Sequence, residues 1–311
     1  MPGEPVVEHV VPWAWWRPTA RLIAAGRRYR RPPLLVVSMP RSGSSWLAAT
    51  LGEAPEVAYL REPLTEEHAR RRGGATFFEV DPDAPPEHYR HSADLAFAGI
   101  PRFGPNVVRA GSQWRLRDRS RRRVVIKEVN PLALRWLVSR YRPRVIYLVR
   151  HPAPVAASIG RQGWTGDAYT ERLLPGRRDP AYLRADEVGT DFFARNGALQ
   201  ALVLRETLSF LASQPAETWR LVTYEDLCQE PATVFRALFD FAGVTWDAAT
   251  EARVADRSKP QTPAPSGGYA IVRESTAMVD RWRGEMDPGA VDRVKHGYLL
   301  LDPPLYGPET W

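Results

Sequence analysis

The chain has few of the residues that build disulfides, cysteine-based metal sites or membrane spans. Its 311 residues include a single cysteine, Cys228, which excludes an intrachain disulfide and a cysteine-based zinc site and suits a reducing compartment. No apolar run in the sequence approaches the roughly 20 residues that a transmembrane helix needs. Glu4 and Glu8 stand where a secretory signal would be basic. We therefore expect a cytoplasmic protein.

Lysine is also scarce, because only three of the 43 basic residues are lysine and the others are arginine. The net charge of +7 suits an anionic ligand, nucleic acid or an acidic membrane surface and does not choose among them. Since arginine is so common, a single arginine is weak evidence for a site. Hydrophobic residues make up 44% of the chain and charged residues 25%, which is ordinary for a globular protein with one large or two small domains.

A strand, a tight loop and a helix are predicted near the start of the chain. Leu34–Val37 is a short apolar run rich in β-branched residues, which is typical of a buried strand. Pro40–Gly43 breaks this strand, and Ser44 is a suitable N-cap for the helix that follows. The N–H groups of such a loop converge on one point, and the helix adds the positive end of its dipole.

The side chains of this loop favour a phosphate. Arg41 supplies a guanidinium, and Ser42, Ser44 and Ser45 supply hydroxyls beside Gly43. An ordinary loop with a surface arginine is the alternative. The loop is not a Walker A loop, which requires glycine, four residues and then Gly-Lys-Ser/Thr. Because that lysine and an evident acidic magnesium partner are both missing, an ATP-dependent kinase is the weaker interpretation.

Strands and helices alternate along most of the chain, which predicts an α/β fold with a P-loop-like central parallel sheet and helices on both faces. The predicted strands are 34–37, 57–60, 124–126, 144–149 and 219–222. The predicted helices cover about 131–140, 152–161, 190–212, 231–242 and 287–300. Residues 65–120 are polar and rich in Pro, Gly and Arg, so we expect a loop-rich insertion with a few helical turns. No clean linker divides the chain, which predicts one domain.

Residues 1–33 form an arm before the first strand. Trp13, Trp15 and Trp16 precede a run of arginines in this arm. An aromatic and basic helix of this kind could lie on a membrane surface through residues 1–31. We favour the alternative, in which the arm packs on the domain and its arginines are solvated.

Charged side chains follow four of the predicted strands. Arg41, Glu62, Lys127 and Arg150 each come just after a strand. In open parallel sheets ligands bind outside the carboxyl ends of the strands, so three cations and one carboxylate should line one edge. Ser158 lies eight residues after Arg150, in the second turn of the next helix, where both side chains could hold the same phosphate.

Two of these segments resemble the phosphate-binding motifs of one enzyme family. Pro40–Trp46 resembles the 5′-phosphosulfate loop of sulfotransferases, in the Arg-Ser-Gly-Ser-Ser form typical of carbohydrate sulfotransferases. Arg144–Ser158 resembles the 3′-phosphate motif of the same family. Val222–Leu227 and Val279–Gly284 are similar to its C-terminal half. The resemblance implies a sulfotransferase domain over residues 34–311.

Several expectations follow from this resemblance. These enzymes use 3′-phosphoadenosine 5′-phosphosulfate (PAPS) and transfer its sulfuryl group in line to an acceptor, with no metal required. Arg41, with Ser44, Ser45 and the loop amides, would stabilise the leaving 5′-phosphate. Trp46 would pack beside the adenine, unless it is a core residue. Lys127 would support the leaving group or the acceptor, unless it only forms an ion pair at the strand end.

Glu62 is the expected general base. Golgi-type carbohydrate sulfotransferases carry a similar Glu-Pro-Leu, which is Glu62-Pro63-Leu64 here. The strand before Glu62 should neighbour the phosphate-loop strand, and Pro63 should hold Glu62 in an extended conformation. An ion pair with Arg41 or Lys127 is the alternative role. The rival bases come from the insertion and are His68, His88 and His91.

The acceptor and the closure of the site are less defined. Residues 65–120 should contact the acceptor, a small molecule or a glycan, and they carry no recognisable pattern. Arg273, Ser275 or Thr276 could close over the 3′-phosphate. The competing functions are a nucleic-acid-binding or membrane-surface-binding protein and an atypical nucleotide kinase. Removing residues 1–30 should abolish surface binding and spare nucleotide binding.

Overall fold

Five parallel strands form the central sheet in the part of the chain that the structure, a computed structural model, describes: residues 11–72, 78–164, 187–258 and 277–311. Their order across the sheet is β2-β3-β1-β4-β5. The strands are β1 Leu34–Ser38, β2 Val57–Arg61, β3 Arg123–Glu128, β4 Arg144–Val149 and β5 Trp219–Thr223. Each predicted strand is confirmed within one or two residues at its ends.

Helices cover both faces of this sheet. In chain order, α1–α12 are Ala20–Gly26, Ser44–Gly52, Pro63–Arg72, Glu87–Phe97, Leu134–Tyr141, Pro152–Arg161, Phe192–Ala212, Tyr224–Gln229, Pro231–Ala242, Ala248–Arg257, Ala277–Glu285 and Pro288–Leu299. The predicted helices correspond to α5, α6, α7, α9 and α12. The α/β fold class is therefore confirmed.

The strands separate two hydrophobic cores because alternate side chains point to opposite faces. Leu35 and Val37 of β1 pack in the core beneath α4, α5 and α7. Leu34 and Val36 pack in the second core, with α2 and α9. All four of these side chains are completely buried. Burial on both faces explains why the run is continuously apolar rather than alternating.

β1, the strand before the phosphate loop, lies where the order of the strands in the sheet reverses. β1 pairs with β3 on one side and with β4 on the other. The chain leaves β1 for β2 and β3, and then crosses to β4 and β5. The carboxyl ends of β1 and β4 therefore flank the crevice in which open α/β sheets bind ligands.

The insertion is more ordered than the sequence predicted. Residues 65–120 include most of α3 and all of α4, together with short 3-10 helices at Gly111–Trp114 and Leu116–Arg121. α4 buries Tyr89, Ala93 and Ala96 at helical spacing. Alanines carry part of this buried stripe, so the many charged neighbours concealed it in the sequence.

The described part of the N-terminal arm packs on the domain. Trp15 is buried, and its indole N–H donates to the Trp114 carbonyl at 2.7 Å. The Arg102 guanidinium donates to the carbonyls of Trp15 and Arg17. Across the described ranges, no helix combines the length and apolar content needed to cross a membrane.

Candidate active site

The loop between β1 and α2 is built on two left-handed residues. Arg41 has φ 69° and Gly43 has φ 94°. A Cβ on Gly43 would lie 2.4 Å from the Tyr224 ring, so both the backbone conformation and the space require glycine. The prediction that Ser44 caps α2 was wrong. Gly43 occupies the N-cap position, and the Ser44 hydroxyl turns back to lie 2.8 Å from the Ser38 hydroxyl.

The N-terminus of α2 is suited to an anion. No side chain caps this helix, so its first N–H groups and the positive end of its dipole are available to a ligand. Ser42 and Ser44 are buried beside it, and Ser45 is half-buried. Trp46 is buried too, with its ring 5.3 Å from the Phe235 ring, which matches the core role that the sequence left open.

Both predicted phosphate motifs meet at Arg41. Its Nε donates to the Ser158 hydroxyl at 2.8 Å, and its carbonyl accepts from the Arg150 guanidinium at 3.3 Å. The sequence predicted that Arg150 and Ser158 hold the same phosphate. In the structure the Arg41 residue connects them, because the loop after β1 lies against the start of α6.

Arg150 fits an anionic ligand. Its guanidinium carbon lies 4.2 Å from the centre of the Tyr224 ring, a cation–π contact that holds the side chain in place. Its Nε is buried and has no hydrogen-bond partner among the residues described. A buried donor without a partner is costly, and a phosphate oxygen would satisfy it. The uncapped helix, Arg41 and Arg150 together fit a nucleotide with two anionic groups.

The start of α6 is held by residues that the sequence analysis missed. One Glu225 carboxylate oxygen accepts from the backbone N–H of His151 at 3.0 Å, and the other accepts from the Tyr306 hydroxyl at 2.7 Å. The His151 ring stacks on Trp282 with ring centres 4.7 Å apart. Burial, reinforced by Arg283 and Arg150, lowers the pKa of His151 to about 3, so this histidine is neutral. Glu225 lies in the Val222–Leu227 segment, but nothing in the sequence pointed to Tyr306.

Glu62 and Lys127 form a buried ion pair. The Lys127 ammonium donates to Oε1 of Glu62, and the Arg61 guanidinium lies 3.6 Å from the same oxygen. Burial alone would raise the pKa of Glu62, but Lys127 and Arg61 outweigh it and hold the pKa below its usual range. Burial lowers the pKa of Lys127, and the Glu62 carboxylate counteracts part of this. The predicted partner Lys127 is therefore found.

Two expectations about the position of Glu62 were wrong. β3 lies between β2 and β1, so the strand before Glu62 does not neighbour the phosphate-loop strand. Glu62 also has φ 51° rather than an extended backbone, although Pro63 follows it. It is the one residue between β2 and α3, and this tight turn takes precedence over the preference that proline imposes. The Glu62 N–H donates to the Lys127 carbonyl at 2.6 Å, which fixes the turn.

A second buried carboxylate, Glu128, supports this turn. It accepts hydrogen bonds from the Leu64 N–H and the Thr65 hydroxyl, both at 2.7 Å, and so caps the start of α3. Burial raises the pKa of Glu128 to about 7. Sequence reasoning overlooked Glu128 because it directly follows Lys127 in β3 and resembles an ordinary strand residue.

The rival bases lie on α3 and α4. His68 Nδ1 and His88 Nε2 are 2.8 Å apart, and their rings stack at 5.0 Å. His91 is exposed. The three candidates for closing over the 3′-phosphate, Arg273, Ser275 and Thr276, lie outside the described residues.

Comparisons with known proteins point to one enzyme family. The model of the sulfotransferase family matches residues 32–248, more than two thirds of the chain. The sulfotransferase domain of the Synechococcus PCC 7002 olefin synthase is similar over 86% of this chain and 94% of that chain, with 19% identity and a TM-score of 0.50. At that identity the similarity shows the fold alone.

Two further solved structures are similar at lower scores. The sulfotransferase domain from the curacin biosynthetic pathway has 16% identity and a TM-score of 0.48, over 86% of this chain and 97% of that one. Mouse sulfotransferase SULT7A1, solved with PAP (3′-phosphoadenosine 5′-phosphate), has 16% identity and a TM-score of 0.42, over 88% of this chain and 86% of that one. No curated protein matches the chain. On the extent of the family match, the chain belongs to the sulfotransferase family.

Proposed function

We propose that this sulfotransferase transfers the sulfuryl group of PAPS to a hydroxyl of a small molecule or glycan. The observation that carries the proposal is the junction at Arg41. Its guanidinium binds Ser158 and its carbonyl binds Arg150, so the 5′-side and 3′-side phosphate motifs share one crevice. A donor with anionic groups at both ends of its ribose fits such a junction. A nucleotide with a 5′-phosphate alone would leave Arg150 unused.

The chemistry asked of these residues is mostly electrostatic. As the acceptor oxygen bonds to sulfur, the bond between sulfur and the bridging oxygen breaks, and negative charge develops on the 5′-phosphate. Arg41 and the uncapped N–H groups of α2 would stabilise that charge. Lys127 is the buried cation nearest to Glu62, and it would favour the ionised form of that carboxylate.

Glu62 is proposed as the group that takes the acceptor proton. Lys127 and Arg61 hold the pKa of this buried carboxylate below its usual range. It is therefore ionised at neutral pH and can accept a proton. It is 9% exposed and follows β2 at the carboxyl edge of the sheet, the edge at which open parallel sheets bind ligands. The alternative is that the ion pair with Lys127 only shapes the site.

Glu62→Gln separates these two roles. As the base, Glu62 should be needed for turnover, which we expect to fall about 10²–10⁴-fold while the affinity for the nucleotide holds. If turnover survives, or if nucleotide affinity falls with it, Glu62 is a structural residue. Thermal stability does not separate the two roles, because Glu62→Gln breaks the ion pair with Lys127 in either case. His68 and His88 would then be tested next.

Removing residues 1–30 does not separate the alternative functions. Because Trp15 is buried against Trp114, removing residues 1–30 would expose the core and confuse loss of a partner with loss of the fold. Arg41→Ala is a better variant. A nucleotide-dependent enzyme should lose its activity in this variant, whereas a protein that binds a partner through the arm should keep its partner.

An acceptor screen with radiolabelled PAPS tests the proposed function directly. We expect label to pass to one or more hydroxyl-bearing small molecules or glycans, together with release of 3′-phosphoadenosine 5′-phosphate (PAP). Arg41→Ala should abolish both signals. Phosphoryl transfer from ATP, with no label transferred from PAPS, would contradict the proposal and favour a kinase.

A further inference from the structure

The exposed side of the N-terminal arm is basic and partly apolar. Its exposed arginines and large apolar residues, which we name the arm face, are Trp16, Arg17, Arg21, Leu22, Arg27, Arg28, Arg30 and Arg31. No aspartate or glutamate occurs between residues 11 and 33. Six positive charges in fifteen residues therefore have no acidic neighbour in this segment.

Two large apolar side chains lie among these charges. Helix α1 turns Ala20 and Ala24 into the core, and both are buried. Leu22 lies between them in sequence and thus on the opposite side of the helix, where it is 74% exposed. Trp16 is 57% exposed, although its neighbour Trp15 is fully buried. Folding has therefore packed one side of the arm and left the other side available.

A groove runs beside the arm face. Its volume is about 580 Å³, and its lining includes Arg21, Arg28, Arg30 and Arg31. Asp94 also lines the groove, but its carboxylate is already paired with Arg140 at 3.1 Å and with the Tyr141 hydroxyl at 2.8 Å. The arginines of the groove are consequently not neutralised by this acid.

We propose that the arm face binds the surface of anionic phospholipid bilayers. The arginines match lipid phosphates and carboxylates, each contributing through the negative surface potential of the bilayer. Leu22 and Trp16 suit the boundary between headgroups and acyl chains, where tryptophan is favoured. A nucleic acid would match the charges equally well but would gain little from an exposed leucine. The combination of charge and apolar side chains therefore favours a bilayer.

Contact with a bilayer would leave the active site open. The arm precedes β1 at the amino end of the strand, whereas Arg41 follows it at the carboxyl end. Five residues of strand separate these edges by roughly 17 Å. Lipid and nucleotide should therefore bind at the same time, and the proposal does not depend on the proposed chemistry.

Vesicle sedimentation tests the proposal with the full chain. The probes are vesicles of phosphatidylcholine alone and of phosphatidylcholine mixed with phosphatidylserine. We expect binding only to the mixed vesicles, weakening as salt is raised. The triple variant Arg21→Gln, Arg28→Gln, Arg30→Gln should lower partitioning on the order of a hundredfold. These side chains are exposed, so the fold should be retained.

A charge-matched control separates the arm face from net charge. Arg236, Arg253 and Arg281 are exposed on other helices, and replacing all three with glutamine removes the same charge. This control should bind mixed vesicles like the wild type. Equal loss in both triple variants, or no binding to mixed vesicles at low salt, would overturn the proposal.

The apolar contribution has its own pair of variants. Trp16→Ala with Leu22→Ser should reduce vesicle binding, whereas Trp164→Ala, at a tryptophan that is 37% exposed elsewhere, should not. If the Trp16 and Leu22 variant binds vesicles normally and single-stranded RNA competes fully with them, the surface serves a nucleic acid and the proposal is wrong.

Discussion

Replacing Lys127 with methionine should destabilise the protein by leaving a buried carboxylate without its closest cation. Lys127 is 2% exposed and Glu62 is 9% exposed, so water cannot solvate the carboxylate in place of the lost ammonium. Breaking a buried pair by removing one partner costs about 3–5 kcal/mol. Because Arg61 remains 3.6 Å from the same carboxylate oxygen, we expect the lower end, about 3 kcal/mol.

Urea unfolding of Lys127→Met, Glu62→Gln and the double variant measures this coupling. The double variant should be less destabilised than the sum of the single variants, by about 1–3 kcal/mol. The exposed pair of Arg236 and Glu251, 3.1 Å apart, is the control and should couple by less than about 1 kcal/mol. Single effects that add without coupling would refute the description of Glu62 and Lys127 as a buried ion pair.

The same pair makes a prediction about acid. A folded-state pKa below the unfolded value means that the stabilisation is present above the unfolded pKa and is lost as pH falls through the folded one. For Glu62 that window lies below roughly pH 4.3, the usual value for a glutamate. Lys127→Met should flatten the acid limb of the stability curve in this range.

Three other outcomes follow from the structure. Because the pKa of Glu128 is raised to about 7, its ionisation should lower the free energy of unfolding by roughly 3 kcal/mol as pH rises from about 4.5 to 8. Glu128→Gln should remove this slope in urea unfolding at several pH values, and an unchanged slope would place its origin elsewhere. Gly43→Ala should abolish nucleotide binding because of the clash with Tyr224, whereas Gly243→Ala, with φ 60° and ordinary 3.7 Å contacts, should only reduce thermal stability by roughly 1–2 kcal/mol. Since Arg41, Arg150 and Lys127 supply the positive charge, sulfuryl transfer should persist in excess EDTA, and an absolute magnesium requirement would revive the kinase interpretation.

Local patterns were sufficient to predict most of the fold. The continuous apolar runs of β1 and β4 and the proline at the start of α6 are short-range signals, and the structure places these elements where the signals are. α4 was missed because alanines carry part of its buried stripe among charged neighbours. The order of the strands was also out of reach. Which strand lies beside β1 depends on the whole chain, so the strand before Glu62 was wrongly expected beside β1.

Individual site residues were predictable only where the motif itself contains them. Arg41, Arg150 and Ser158 belong to segments with recognisable spacing, and the structure brings these three together. Glu128 and Tyr306 act through contacts between residues far apart in sequence, with Leu64 and Glu225 respectively. Such contacts leave no periodicity or motif, so only the folded arrangement shows them.

Titration calorimetry with PAP and AMP tests the central proposal most directly, because the two ligands differ only in the 3′-phosphate. Charge-assisted hydrogen bonds contribute about 1.5–3 kcal/mol each. If Arg150 and Ser158 hold the 3′-phosphate, PAP should bind on the order of a hundredfold more tightly than AMP. Arg150→Ala should lose this advantage and leave AMP binding nearly unchanged. Equal affinity of the wild-type protein for PAP and AMP would contradict the assignment of PAPS as the donor.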